Sequence, residues 1–202
     1  MTTETRIRLS APERRDQILD AAEALVGTEG FHSLSMEAIA RAAGVSRPIV
    51  YGHFGDLPGL VDALLDRVTG RALAQLEEVM PDRLGRDDAR EALIAATGAY
   101  LEAVRGNPHT WRLVLMPPEG APDKLRARVA AARETVFARL ELSIREGFED
   151  GRGSPDPEIT AHMASAYSDE LARLVLTDPG RYPIDRLLDH TSWMVDGLLG
   201  RR

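Results

Sequence analysis

The residues whose types and spacing carry the clearest chemistry lie near the start of the chain, between Ser35 and Phe54. Ala40, Gly44 and Val50 are spaced as two short helices require when they cross at about 90–120° through a tight turn. The small residue lies where the helices touch, the glycine where the chain reverses, and the apolar residue on the second helix facing the first. This pattern is typical of a DNA-binding helix-turn-helix, although it also occurs in ordinary corners between helices.

The second helix of this motif carries side chains that suit a DNA duplex. Arg47 can donate two hydrogen bonds to guanine, and Ile49 can contact the methyl group of thymine. Tyr51 and His53 can donate hydrogen bonds to phosphates, and the backbone N–H groups that follow Ser35 favour another phosphate. The alternative interpretation is that Tyr51 fills a core and that His53 is an ordinary surface residue.

Helical periodicity extends along almost the whole chain, and no segment shows the alternation expected of a strand. We therefore expect an all-α protein of about nine helices. The first helix begins near Pro12 and stops at Gly30, two short helices follow, and a fourth begins after Asp56 and ends before Pro81. The later helices are predicted over residues 88–105, 109–115, 122–150, 156–176 and 184–199.

From residue 12 to about residue 66, the sequence resembles the N-terminal domain of the TetR family of bacterial transcriptional repressors. The resemblance rests on the first helix, the pair Gly30-Phe31, the turn, the Tyr-x-His-Phe ending and the Leu-Leu helix that follows. Gly52 and Leu57 depart from the family pattern, which often has a large residue and a phosphate-binding Lys at these positions. The DNA-contacting positions that the resemblance implies are Ser35, Arg47, Pro48, Ile49, Tyr51 and His53.

The resemblance also implies two domains and a function. Residues 1–55 would form the helix-turn-helix domain, and residues 56–202 a helical domain that binds a small-molecule effector and forms a homodimer. We expect a transcriptional regulator in the bacterial cytoplasm that binds double-stranded DNA at a palindromic operator. We further expect a repressor that the small molecule releases from that operator.

Apolar residues repeat at helical spacing over residues 159–174 and 184–199, near the end of the chain. These two helices and their mates from a second copy are predicted to form a four-helix dimer interface. The same two stripes could instead close the core of a single copy. The dimer is favoured because a two-fold operator requires a two-fold protein.

Polar and aromatic side chains on otherwise apolar helices are the candidates for a ligand pocket. Each one, taken singly, is more often part of a core or a surface, because aromatic residues and Met at helical spacing usually pack. Taken together, they indicate an apolar cavity with a few hydrogen-bonding groups. The candidates are Tyr100, Trp111, Arg112, Met116, Phe137, His162, Met163, Tyr167 and Glu170.

Composition excludes several other classes of protein. The 202 residues include no cysteine, which excludes disulfide frameworks, Cys-ligated metals and Cys nucleophiles and favours a reducing compartment. The net charge of −7 argues at first against a nucleic-acid partner, but residues 1–55 hold six Arg against seven acidic residues. The charge-free runs are well below the roughly 18 apolar residues of a membrane helix, so we expect no membrane partner.

Two other functional classes compete with a DNA-binding regulator. An all-α enzyme is disfavoured because the sequence has no HExxH, no GxSxG and no glycine-rich phosphate loop, and its five His lack ligand spacing. We therefore expect no catalytic residue, no metal and no cofactor. A module that only packs against other proteins is disfavoured, because such packing does not require Arg47 and Tyr51 on the exposed face of the second helix.

Overall fold

The structure, a computed structural model, describes residues 9–80, 89–147 and 156–198 of the chain. These ranges contain nine α-helices, one short 3-10 helix over Phe31–Ser33 and no strand, which confirms the all-α prediction. The helices are α1 (Ala11–Glu29), α2 (Met36–Ala42), α3 (Arg47–Phe54), α4 (Leu57–Val79), α5 (Ala89–Gly106), α6 (Pro108–Leu115), α7 (Asp123–Gly147), α8 (Pro157–Thr177) and α9 (Ile184–Leu198).

Three predicted helix ends lie outside the described residues. They are the start of the fifth helix at Asp88, the end of the seventh at Asp150 and the end of the ninth at Leu199. The part of the predicted interface stripe that includes Leu199 also lies outside them.

The chain divides into two compact units. The first extends to Arg67 and includes Pro118–Asp123, and the second comprises Val68–Pro117 and the chain from Lys124 onward. The division falls inside α4, so that one continuous helix contributes residues to both units. The functional boundary predicted after residue 55 remains a prediction.

The start and the end of α1 follow from local sequence. The Ser10 hydroxyl accepts a hydrogen bond from the backbone N–H of Glu13 at 3.4 Å, and the Glu13 carboxylate accepts one from the backbone N–H of Ser10 at 2.7 Å. These reciprocal bonds satisfy backbone donors that the first turn leaves open. Gly30, with φ at +82°, ends the helix in a conformation that favours glycine.

The core of the first unit comes from one apolar face of each of its helices. Helix α1 packs on α2, and α2 packs on α3. Burial of this apolar surface is the main term that stabilises so small a unit. Its buried residues include Ile18, Leu19, Ala22, Val26, Ile39, Ala40, Val50, Leu60, Leu64 and Leu65.

Arg67 of α4 links this helix to α1. Its guanidinium lies 2.8 Å from the Asp20 carboxylate and 3.0 Å from that of Glu23, and only 10% of the Arg67 side chain is exposed. Glu23 is buried as well. The pair therefore holds two charges in mutual contact where little water reaches them, and this contact joins α4 to α1.

The second unit has its own core, to which α4, α5, α6, α8 and α9 contribute. The ring of Tyr100 meets that of Trp111 edge-on, with the centroids 5.1 Å apart. Helix α5 is the central element, since it contacts α6, α8 and α9. The buried members are Ala72, Tyr100, Leu101, Val104, Trp111, Leu115, Leu171, Ala172, Val175, Leu176, Ile184 and Leu187.

Candidate nucleic-acid interface and ligand cavity

The turn between α2 and α3 has the geometry that its sequence predicts. The Ser35 hydroxyl accepts a hydrogen bond from the backbone N–H of Ala38 at 3.0 Å and so begins α2. After α2, the N–H of Val45 donates to the Ala40 carbonyl at 3.0 Å, and Gly44 has φ at +65°. Only glycine adopts this left-handed conformation without strain, so the reversal depends on it.

Helix α3 has one face in the core and another open to solvent. Val50 is fully buried, whereas Arg47, Ile49 and Tyr51 are exposed. Pro48 lies in the first turn, where its missing N–H costs no helical hydrogen bond. The exposed side chains therefore include a guanidinium, an aliphatic group and a phenol, which are groups that contact base edges and phosphates.

The C-terminal end of α3 is tied to α1. The Arg15 guanidinium donates a hydrogen bond to the His53 carbonyl at 3.4 Å and lies 4.5 Å from the centre of the Phe54 ring. His53 is half-buried. Gln17 also donates to the carbonyl of Ala43 in the turn, at 2.8 Å. These contacts fix α3 on α1 without using its exposed face.

An acidic residue that is not among the predicted DNA-contacting positions lies beside Arg47, the arginine predicted to contact a base. Glu37 is in the first turn of α2, and its carboxylate is 3.6 Å from the Arg47 guanidinium. Both side chains are more than half exposed. Its position in the first turn after the Ser35 cap was the available signal, because a helix N-terminus favours an acidic side chain.

The two departures from the family pattern have different structural contexts. Gly52 is exposed, and a Cβ placed on it would meet no atom within 4 Å, so the site has room for a larger side chain. Leu57 is half-buried at the start of α4 and carries no hydrogen-bonding group. The carboxylate of Asp56 caps this helix instead, since it accepts a hydrogen bond from the Gly59 N–H at 2.8 Å.

Comparison with known proteins identifies the family. Residues 18–64 match the model of the tetR family of bacterial regulatory proteins. Over 188 residues, the chain is 30% identical to the HTH-type transcriptional activator FasR of Mycolicibacterium smegmatis, a match that covers 92% of this chain and 80% of FasR. The chain belongs to the TetR family. It is therefore a transcriptional regulator and not an enzyme.

Solved structures of TetR-type regulators share the fold of this TetR-family chain. A TetR-like transcriptional regulator from Rhodococcus sp. RHA1 is 25% identical, with 96% of this chain and 100% of that chain covered and a TM-score of 0.73. SmeT in complex with triclosan is also 25% identical, with 92% and 91% covered and a TM-score of 0.70. No helix in the described ranges is long and apolar enough to cross a membrane.

The second unit of this TetR-family protein contains a cavity of about 150 Å³. Its wall is formed by residues of α4 to α8, with Met80 just beyond α4, and most of them are apolar. The lining residues are Thr69, Ala72, Leu73, Leu76, Val79, Met80, Leu93, Ala96, Thr97, Tyr100, Trp111, Val114, Leu115, Val129, Ala132, Arg133, Val136, Leu140, Ala164, Ser165, Ser168 and Asp169.

The charged groups of the cavity lie on α7 and α8. Arg133 of α7 and Asp169 of α8 form an ion pair, with the closest nitrogen and oxygen 2.6 Å apart. Burial raises the pKa of the Tyr100 phenol, and the nearby charge of Asp169 raises it further. The indole N–H of Trp111 donates to Gln75 at 2.9 Å, so this donor is already used within the protein.

Two of the nine residues predicted to bind ligand, Tyr100 and Trp111, line the cavity. Arg112 does not, because its guanidinium donates to the Leu176 carbonyl at 2.8 Å. Met116 is exposed after the end of α6 and also lies off the lining.

The other five predicted residues lie on α7 and α8 but outside the lining. The rings of Phe137 and His162 pack on each other, with centroids 4.3 Å apart, and Met163 is exposed. The Tyr167 hydroxyl lies 3.0 Å from that of Thr191. The fifth, Glu170, is exposed and pairs with Arg173 at 3.3 Å.

The residues that sequence reasoning missed had a readable pattern. On α7, Arg133 falls within an apolar row formed by Val129, Ala132, Val136 and Leu140. On α8, Ser165, Ser168 and Asp169 share one face at i, i+3 and i+4. A charged residue inside an apolar row was the available signal for a wall residue on α7, whereas the packing of α8 beside it comes only from the structure.

The apolar side chains of α8 and α9 are only partly buried within one copy of the chain. On α9, Ile184, Leu187 and Val195 are buried within one copy of the chain, and Leu188 is half-buried against Gly98. That part of the stripe closes the monomer core. A different set of large apolar side chains is exposed, namely Ile159 and Met163 on α8 and Trp193 on α9.

Proposed function

We propose that this TetR-family protein is a repressor that binds a palindromic operator as a homodimer and leaves it when a small molecule binds. The observation that carries DNA binding is that Arg47, Ile49 and Tyr51 are exposed on α3 while Val50 holds the helix in the core. A helix that is held by its neighbours and exposes both polar and apolar side chains is suited to binding in the major groove of DNA. We assign Ser35, Pro48 and His53 supporting contacts with the phosphate backbone.

The homodimer supplies the two-fold symmetry that a palindromic operator requires. Ile159 and Met163 lie one turn apart on α8, with 58% and 68% of each residue exposed, and Trp193 of α9 is 64% exposed. Large apolar side chains in such positions are typical of protein–protein contacts. We propose that they meet their mates in a second copy.

Ligand response requires a physical link between the cavity and the DNA-binding unit. Helix α4 contributes Leu60 and Leu64 to the core of the first unit and Leu73 and Leu76 to the cavity wall of the second. A ligand packed against α4 acts on DNA binding if it prefers one conformation of this helix over another. A coupling of about 1–3 kcal/mol changes DNA affinity roughly 5- to 150-fold.

One observation favours activation of transcription instead of repression. FasR, the 30% identical relative, is named a transcriptional activator. An activator would use the same α3 contacts but would raise transcription when bound. A repressor and an activator would both act in the bacterial cytoplasm, because the operator DNA is located there.

The test combines a binding assay with a reporter assay. Fluorescence anisotropy with duplex DNA from upstream of the protein's own gene, in the presence of unlabelled competitor, should show saturable binding that weakens as salt rises. Binding no stronger than to random duplex would contradict the operator proposal. Deletion of the gene should raise expression from the bound promoter, whereas a fall would establish activation.

The ligand step is tested separately. Native mass spectrometry of the purified protein should identify the small molecule that it retains from the cell. That compound, titrated into the anisotropy assay, should lower operator affinity. Unchanged affinity at saturation would contradict release by ligand while leaving DNA binding intact.

A further inference from the structure

The polar end of the cavity carries one positive and one negative side chain, and the negative one is shared with a second arginine behind the wall. Arg133 and Asp169 are the charged residues among the described lining residues. Asp169 lies 2.6 Å from Arg133 and 3.9 Å from Arg173, so one carboxylate serves two guanidinium groups. Only 14% of the Asp169 side chain is exposed. Glu170 also pairs with Arg173, but it is 61% exposed, and water screens its charge.

Arg133 retains donors for a further partner. A guanidinium has five N–H donors, and the ion pair with Asp169 is the polar side-chain contact that Arg133 makes within the described ranges. One third of this side chain remains exposed. The Tyr100 phenol, which is protonated at pH 7, is a second donor on the lining. The cavity wall therefore presents donors for which the protein supplies too few acceptors.

We propose that the cavity takes an amphipathic anion, with its carboxylate on Arg133 and its apolar body against α4 and α6. This inference rests on the proposed function, in which the cavity is the effector site. A carboxylate matches the planar fork of a guanidinium and completes its hydrogen bonds. A cationic head group would be repelled by the Arg133 guanidinium, and a neutral one would give its remaining N–H donors no charged acceptor.

The rest of the wall fits an apolar body of modest size. Leu73 and Leu76 of α4, Trp111 and Leu115 of α6 and Leu140 of α7 provide apolar surface. A mostly apolar space of about 150 Å³ suits a small hydrophobic group. Burial of the apolar part of the ligand contributes affinity, and its single charged head group fixes the orientation of the ligand in the cavity.

A series of ligands that share one tail and differ in head group tests the proposal. Octanoate, octanol and octylamine are titrated into the full-length protein by isothermal titration calorimetry at pH 7. Octanoate should bind about 10-fold more tightly than octanol, the ratio expected for a charge-assisted hydrogen bond. Octylamine should bind least tightly. Equal affinities, tighter binding of octylamine or no binding of octanoate would overturn the proposal.

Variants of Arg133 locate the head group. Arg133→Gln should remove the preference for octanoate over octanol, and Arg133→Lys should retain part of it, because the charge stays while the fork is lost. Arg145→Gln is the matched control, since Arg145 is exposed on the same helix and does not line the cavity. Circular dichroism verifies that each variant is folded. A preference for octanoate that survives in folded Arg133→Gln would overturn the assignment.

The same ligands separate this inference from the proposed function. If octanoate binds with the expected preference but leaves operator affinity unchanged, the ligand class stands and release by ligand fails. If octanol releases the operator as effectively as octanoate, release stands and the anionic head group is wrong.

Discussion

At the scale of single residues, Arg47 is the side chain that we expect to read sequence, because it is exposed at the start of α3 and can donate two hydrogen bonds to guanine. Arg47→Ala should cost about 1–3 kcal/mol of operator binding and relax the preference at one base pair. Tyr51→Phe, which removes only a hydroxyl, should weaken binding to all sequences alike. Anisotropy with a panel of single-base operator variants measures both effects. An unchanged base preference in Arg47→Ala would contradict the assignment.

Glu37 should oppose DNA binding through its charge. Its carboxylate lies 3.6 Å from the Arg47 guanidinium, so it competes with the duplex for that side chain and repels nearby phosphates. Glu37→Gln should raise affinity for all duplexes by up to about 5-fold, the range of an exposed ion pair. Glu29→Gln, an equal change of charge at the exposed end of α1, is the control. A loss of affinity confined to one operator sequence would instead indicate that Glu37 contacts a base.

At the scale of elements, the pairing of α1 with α4 depends on Arg67. Arg67→Ala removes the guanidinium that lies 3.0 Å from the buried Glu23 carboxylate, which should lower the free energy of unfolding by about 1–3 kcal/mol. Glu77→Ala, an exposed change on the same helix, should alter it by no more than roughly 0.5 kcal/mol. Urea unfolding followed by circular dichroism measures both. If the two variants were equally stable, the buried pair would contribute nothing to the α1–α4 contact.

The elements also show what the sequence can and cannot predict. The turn between α2 and α3 was predictable because Ala40, Gly44 and Val50 each meet a local requirement that few residues satisfy. The cavity was not, because a pocket forms where helices far apart in sequence fail to fill the space between them. Arg133 and Asp169 are 36 positions apart and acquire their meaning only when α7 packs near α8.

At the scale of the whole molecule, the periodicity of the sequence also could not predict which apolar residues form the core of one copy and which remain exposed. The repeats over residues 159–174 and 184–199 were predicted, but periodicity does not say which turn faces its own copy. Val195 is buried in the monomer, whereas Trp193, two residues earlier, is exposed. A substitution that tests assembly must therefore lie on the exposed set, since a charge at Val195 would test folding instead.

Met163→Glu should convert the homodimer into a monomer that binds the operator weakly. Met163 is 68% exposed in one copy, so the charge costs little in the monomer but would be buried without a partner at the proposed interface. Met116→Glu makes the same chemical change at an exposed residue outside α8 and α9 and should leave the dimer intact. Light scattering coupled to gel filtration gives the mass of each variant at micromolar concentration. Wild-type protein that ran as a monomer, or Met163→Glu protein that remained a dimer, would contradict the proposed interface. The monomer should bind the operator weakly because two α3 helices reach successive half-sites only when the two copies are joined.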